Sequence, residues 1–271
     1  MPIAKLFVEG ALDVQLLAPI LLGKPVLQKG GPKGSLKPRA RTERRENNVA
    51  AGYLRDRDFD HYPPTDFSQP TVDSTHDDVP LGWRWCRHEI ENYLIDPAVV
   101  REAMGWSTSE VEDAVRRAAD RIRSYEAARW TIGVVRRALP PHHELRTRPE
   151  ALSEIDLPPA LDAASVNAWA SKSIADHQAP VTAATDPKAV QASLDAFAAQ
   201  FDGAFLADLA KVLVWFSGKD LLAGLADWLI TKDIPNPGQF RAVLRDWIIE
   251  NPTRTLELLP EWNGMAELVR A

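Results

Sequence analysis

The chain has 271 residues, 45% of them hydrophobic and 26% charged, which supplies a real core for one large domain or two smaller ones and excludes wholesale disorder. A net charge of −6 argues against a generally basic nucleic-acid binder, while leaving room for a local basic patch. The single cysteine, Cys86, excludes a disulfide framework and a paired-cysteine metal site and fits a reducing cytoplasm. The opening "MPIAKLFVEG" has no signal-peptide h-region, and no apolar run reaches the roughly 18–20 residues of a membrane helix, so a cytoplasmic protein without a membrane span is expected.

In chain order, "AKLFVEG" predicts a short buried strand ending at Glu9-Gly10. "ALDVQLLAPILL" predicts a helix with Leu12, Leu16 and Ile20 on one stripe and Pro19 ending or kinking it. Strand, glycine and helix in succession begin an α/β unit. A second short strand is expected at "PVLQ". The following "KGGPKGSLKPRARTERREN" is rich in glycine and proline first and basic later. From Lys24 to Arg45 there are eight lysines and arginines against one acid, Glu43. "NVAAGYLRDRDFD" reads as the next strand, "HYPPTDFSQPTVDSTHDDVP" as a polar, proline-rich loop, and "LGWRWCRHEIENYLI" as a strand running into a short helix with Cys86 buried. Residues 1–96 are thus expected to be an α/β domain and 97–271 an α-helical one. Asp96-Pro97 supplies an N-cap with proline at the first helical position. A long amphipathic helix follows from "STSEVEDAV", and "PPHHELRTRPEALSEIDLPPALDAA" reads as a linker in which His142 and His143 receive no role. Four helical segments are expected from about 188 to 270, with Trp215, Trp228, Trp247 and Trp262 as packing residues.

The densest chemistry lies at "RDRDFD". Side chains alternate along a strand, so Asp56, Asp58 and Asp60 are expected on one side, where water, a base or a cation must offset their repulsion. An EF-hand is excluded, because its sixth position is His61 rather than glycine and its twelfth is Phe67 rather than glutamate. A solvated turn remains a competing reading. Glu9 ends the first strand and Asp13 lies one helical turn later. In a parallel sheet the carboxyl ends of the strands share the edge where ligands bind, so Glu9, Asp13, Asp56 and Asp58 are candidates for one rim. Oxygen-only ligands favour Mg²⁺ or Mn²⁺. Asp13 equally suits the first turn of a helix through its dipole.

"HEIEN" lacks the second histidine of a zinc-protease helix, Asn92 standing in its place, and leaves Glu89 and Glu91 beside His88. Glu89 also suits a salt bridge to an arginine. Neither "SGKD" nor "GGPKGS" is a phosphate-binding loop, so any ATPase activity belongs to a partner. Lys219 sits at a helix start, where a cation opposes the dipole. Neutralising charge at a metal-bound phosphate would explain it, and a plain surface lysine is the alternative. The 24–45 stretch has the composition of a phosphate contact or of a solvated face.

"FVEG" followed by "DRDFD" resembles the TOPRIM fold of topoisomerases, primases and OLD-family nucleases, with Asp13 four residues after Glu9 as in the OLD-type variant. "HEIENYL" and "FSGKD" resemble a more specific group: small stand-alone TOPRIM-like proteins that include effectors of two-gene anti-phage systems paired with an ABC-type ATPase, as in PARIS. The resemblance covers about the first 96 residues plus 216–220. It implies a TOPRIM-like parallel-sheet domain followed by a helical domain, and Mg²⁺- or Mn²⁺-dependent endonuclease cleavage of DNA or tRNA. Asp56 and Asp58 would be the principal ligands, with Asp60 outside them. Glu9 would be ligand or general acid/base, Asp13 and Glu91 would complete a second metal set, and Lys219 would stabilise transition-state charge. An ABC/OLD-type ATPase partner and a homodimer are further expectations. A TOPRIM-like module without catalysis, used for protein assembly, is the reading from another class. Primase or topoisomerase chemistry is disfavoured by the lack of a nucleophilic tyrosine context or a zinc module.

Overall fold

The computed structural model describes residues 2–139 and 162–270. The strands are β1 (Lys5–Val8), β2 (Val26–Lys29), β3 (Ala51–Arg55), β4 (Thr71–His76) and β5 (Val79–Arg84), in spatial order β2-β1-β3-β5-β4. β1 pairs parallel with β2 and β3, β3 pairs parallel with β5, and β4 runs antiparallel on the edge. The helices are α1 (Ala11–Ile20), α2 (Lys33–Glu46), α3 (Glu91–Leu94), α4 (Pro97–Met104), α5 (Thr108–Ala138), α6 (Ala163–Ala184) and α7 (Pro187–Gln200). They continue as α8 (Gly203–Ala207), α9 (Leu209–Trp215), α10 (Gly218–Gly224), α11 (Ala226–Ile230), α12 (Pro237–Glu250), α13 (Pro252–Leu258) and α14 (Pro260–Arg270). No described helix is long and apolar enough to cross a membrane.

The central strands are apolar almost throughout, as strands covered on both faces require. α2 packs across β1, β3 and β5 through Leu36 and Ala40, which meet Phe7, Ala51, Tyr53 and Leu81. Gly82 leaves room for the ring of Tyr53, its partner on β3, because a Cβ there would fall 2.1 Å from that ring. α1 packs against β2, α12 and α13.

Two expectations need correction. "TVDSTH", read as loop, is strand β4. Asp77 and Asp78, with φ of 51° and 60°, close a two-residue hairpin onto β5, and aspartate tolerates that left-handed turn. The boundary at residue 96 does not separate compact units. The chain divides into Met1–Glu126 with Asp202–Ala271, and Ala127–Phe201. The last helices belong with the sheet because they complete its core. Glu261 of α14 accepts from Cys86 N at 2.6 Å and from Tyr93 Oη, and Trp262 stacks on Trp85 at 5.9 Å. Burying one such indole, about 150–250 Å² at about 25 cal/mol per Å², contributes roughly 4–6 kcal/mol before entropy. In the second unit, Trp130 packs on Phe197 at 5.7 Å. Residues 140–161, with His142, His143 and most of the expected linker, lie outside the described residues.

Candidate metal centre

Three neighbouring parallel strands deliver acids to one edge of the sheet. Glu9 follows β1, Asp56 follows β3, and the loop after β5 carries His88 and Glu89 into α3, which begins at Glu91. A cleft of about 400 Å³ opens there, lined by Glu9, Asp13, Asp56, Glu91 and Lys219. Asp56 N donates to Glu9 Oε1 at 2.9 Å and ties the two strand ends together. Asp13 Oδ2 accepts from Gly10 N at 2.9 Å, so the residue caps α1 while facing the cleft.

These acids are sunk rather than solvated: Asp56, Asp13 and Glu91 are 9%, 6% and 3% exposed. Burial disfavours the charged form. It pushes Glu9 up to about 7 against the opposing pull of Lys33. It also raises Asp13, and it raises Glu91 with help from Glu89. Asp56 stands well above the usual carboxylate range, through burial first and then the charges of Asp13 and Glu9. Among the described residues no donor reaches its buried Oδ1. A buried carboxylate oxygen without a donor is costly, and such a set is satisfied by protons or by a cation. The oxygen-only donors and the orphaned Oδ1 fit a hard divalent ion.

Lys219, the second residue of α10, reaches this set. Its backbone N–H donates to Glu89 Oε1 at 2.8 Å, its Nζ bonds Glu89 Oε2, and Glu91 Oε2 lies 3.5 Å away. Burial alone would lower the ammonium, but Glu89 and Glu91 hold it above its ordinary value. Arg241 of α12 stands 3.3 Å from Glu91 Oε1. Ser217 caps α10 through Asp220 N and donates to Glu89 at 2.7 Å.

The stretches "HEIENYL" and "FSGKD" therefore interlock. Asn92 Nδ2 donates to Phe216 O at 2.9 Å, and Gly218 N donates to Asn92 Oδ1 at 3.1 Å. A Cβ on Gly218 would lie 2.5 Å from Asn92 N and 2.8 Å from the Glu91 carbonyl carbon. Both contacts are backbone and have no rotamer to yield. Gly218→Ala is expected to cost about 1–3 kcal/mol in urea unfolding. An unchanged midpoint would show that this junction is loose.

The expected alternation of Asp56, Asp58 and Asp60 is not what forms. β3 stops at Arg55, and Asp58–Asp60 make a single 3-10 turn. The cause is Arg57, a fully buried guanidinium that donates to Cys86 O at 3.0 Å, His61 O at 2.6 Å and Val214 O. Turning Arg57 inward puts Asp58 at φ 47°. Asp58 lies outside the cleft lining but close enough to raise Glu9 and Asp56. Lys33 bonds its carboxylate and stands 3.1 Å from Asp60 Oδ2, which is also 3.4 Å from Arg55. Asp58, His88 and Glu89 offer ligand atoms within 4.8 Å of one another, but lysines already hold both carboxylates.

Glu89 pairs with Lys219 and Ser217 rather than with an arginine, and Glu91 faces the cleft. Lys33, Arg57, Ser217 and Arg241 carried no individual signal as site residues. Only the serine-glycine start of "SGKD" hinted at a cap. The fold and site define an α/β domain with a carboxylate-lined cleft at the carboxyl edge of its parallel strands. No protein-family model and no curated protein matches the chain.

Proposed function

We propose that the protein is a divalent-metal-dependent nuclease of TOPRIM-like type, cleaving phosphodiesters in DNA or tRNA. The observation that carries this reading is the convergence of Glu9, Asp13, Asp56 and Glu91 on one cleft, with a buried Asp56 oxygen left without a donor. Asp56, Glu9, Asp13 and Glu91 would hold Mg²⁺ or Mn²⁺, with Asp58 adding negative field from beside the cleft. The bound ion supplies Lewis acidity to the phosphodiester and the attacking water. Glu9, which burial raises to about 7 in the metal-free site, would serve either as a ligand or as the acceptor of that water's proton. Lys219 keeps a full charge at the cleft and offsets the negative charge that develops on the phosphoryl oxygens. The resemblance of the two interlocking stretches supports a role as toxic anti-phage effector, controlled by an ATPase partner.

The second reading, an assembly module without catalysis, draws on Lys33 and Lys219, which neutralise part of the acidic cluster without any metal. A cleavage assay with plasmid DNA and total tRNA separates the two. Wild type and Glu9→Ala would be compared in Mg²⁺, Mn²⁺ and EDTA, with and without a candidate ATPase. Metal-dependent cleavage lost in the variant is expected. No cleavage together with no divalent-ion binding by calorimetry selects the assembly module.

A further inference from the structure

The basic segment is helix α2, and its charges are ordered. Lys33, Lys37, Arg41 and Arg45 recur every four residues, which places them in one stripe along the helix. The stripe is about 18 Å long, enough to meet several successive phosphates of one nucleic-acid strand. Its first member, Lys33, is the lysine already bonded to Asp58 beside the carboxylate cleft, whose lining reaches Pro32.

A groove of about 360 Å³ follows the stripe, lined by Lys33, Lys37, Arg41 and Arg55. Pro38 and Arg41 also line the next hollow, of about 390 Å³, which Arg45 and His76 complete. The only acid on the first groove, among the described residues, is Asp73. Arg55 at 2.9 Å, Arg84 at 3.3 Å and the Tyr53 hydroxyl at 2.6 Å already hold it. Lys37 and Arg41 make no hydrogen bond or ion pair with any described residue. Lys33 is engaged by Asp58 and Arg45 pairs with Glu46 at 2.8 Å, so the two middle cations are the unspent ones, and on a chain of net charge −6 they are the local departure that a polyanion recognises.

We propose that the Lys33–Lys37–Arg41–Arg45 face of α2 is a phosphate track that leads one unpaired nucleic-acid strand to the metal cleft. This rests on the nuclease reading. The unpaired strand follows from the depth of the acids: Asp13, Asp56 and Glu91 are all buried, and a flexible backbone can turn a phosphate down to them. A duplex holds its phosphates on a stiff, wide cylinder. Backbone contacts of this kind position the strand without reading sequence.

The test is binding of a labelled twelve-nucleotide oligothymidylate, its oligouridylate counterpart and a duplex of equal length to the full chain in EDTA across a salt series. Lys37→Glu/Arg41→Glu is expected to bind the single strands at least about tenfold more weakly. Its salt slope should be shallower by about 1.4, or about 0.7 per lost contact. Lys37→Gln/Arg41→Gln, which avoids charge reversal, should lose at least threefold. A loss under threefold in both variants, a wild type that binds no single strand, or a wild type that prefers the duplex overturns the proposal. Mg²⁺-dependent cleavage by the wild type is read in parallel. Weakened binding in the variants with no cleavage by the wild type leaves the track standing and removes only the nuclease reading. Normal cleavage with undiminished binding in the variants removes only the track.

Discussion

Asn in place of Asp56 is expected to abolish Mg²⁺-dependent cleavage, by at least about a hundredfold, while making the metal-free protein more stable. Both effects have one cause. Asp56 is buried against Asp13 and Glu9, and its Oδ1 has no donor among the described residues. On the nuclease reading, metal binding needs that carboxylate, and the stability of the metal-free fold does not. An amide keeps the shape, removes the repulsion and brings two N–H donors to the neighbouring acids. Relief of this kind commonly yields about 0.5–2 kcal/mol, or roughly 2–4 °C in Tm per kcal/mol for a chain of this size. Groups that support metal ligands cost 10–100-fold when lost, and a ligand costs at least as much. Cleavage assays with thermal melts in EDTA and in Mg²⁺ check both halves. Undiminished cleavage would remove Asp56 from the metal set. A lower Tm in EDTA would show that its carboxylate is satisfied in a way the orphaned oxygen contradicts.

The second expected result is a pH dependence of metal binding. Burial raises Glu9 to about 7, and Asp13, Asp56 and Glu91 also stand above their usual values. A raised carboxyl pKa means that the folded, metal-free protein binds protons more tightly than the unfolded chain does. The stability this confers is complete below the unfolded value near 4.5 and is lost as pH rises through about 7 for Glu9. A divalent ion competes with these protons. Its affinity therefore increases with pH, by about tenfold between pH 6 and 8 if Glu9 alone is displaced. The stabilisation of Tm by Mg²⁺ should grow in the same direction. Calorimetric titration at pH 6, 7 and 8 measures it, and an affinity flat across that range would show that no raised carboxyl is displaced on binding.

The opposite behaviour of Asp56 and Asp58 shows how far local pattern reaches. Two aspartates two residues apart in a strand share a face, and the alternation rule is sound. It fails here because strand pairing ends at Arg55 and Arg57 is drawn inward to carbonyl oxygens of Cys86, His61 and Val214. Those acceptors come from a distant strand end, the same loop and a late helix, so no window around residue 57 contains the reason. Glu89 and Glu91 divided in a similar way. Their spacing left both open, and only the arrival of Ser217 and Lys219 engaged Glu89 and left Glu91 on the cleft.

By itself, the sequence determined the strand-glycine-helix opening, the apolar central strands, the proline-initiated helix after Asp96, and the acids at the ends of β1 and β3. Each of these follows from nearest-neighbour chemistry: φ limits, capping donors and burial period. It also carried the basic character of 24–45, whose helical spacing turned composition into a stripe. The tertiary structure alone decided that residues 202–271 complete the first unit, that Lys219 crosses more than a hundred residues to meet Glu89, and that Asp58 pairs with Lys33. Those outcomes depend on long-range burial of Trp85, Trp262, Arg57 and Glu261, where removal from water ranks the partners and sequence distance does not.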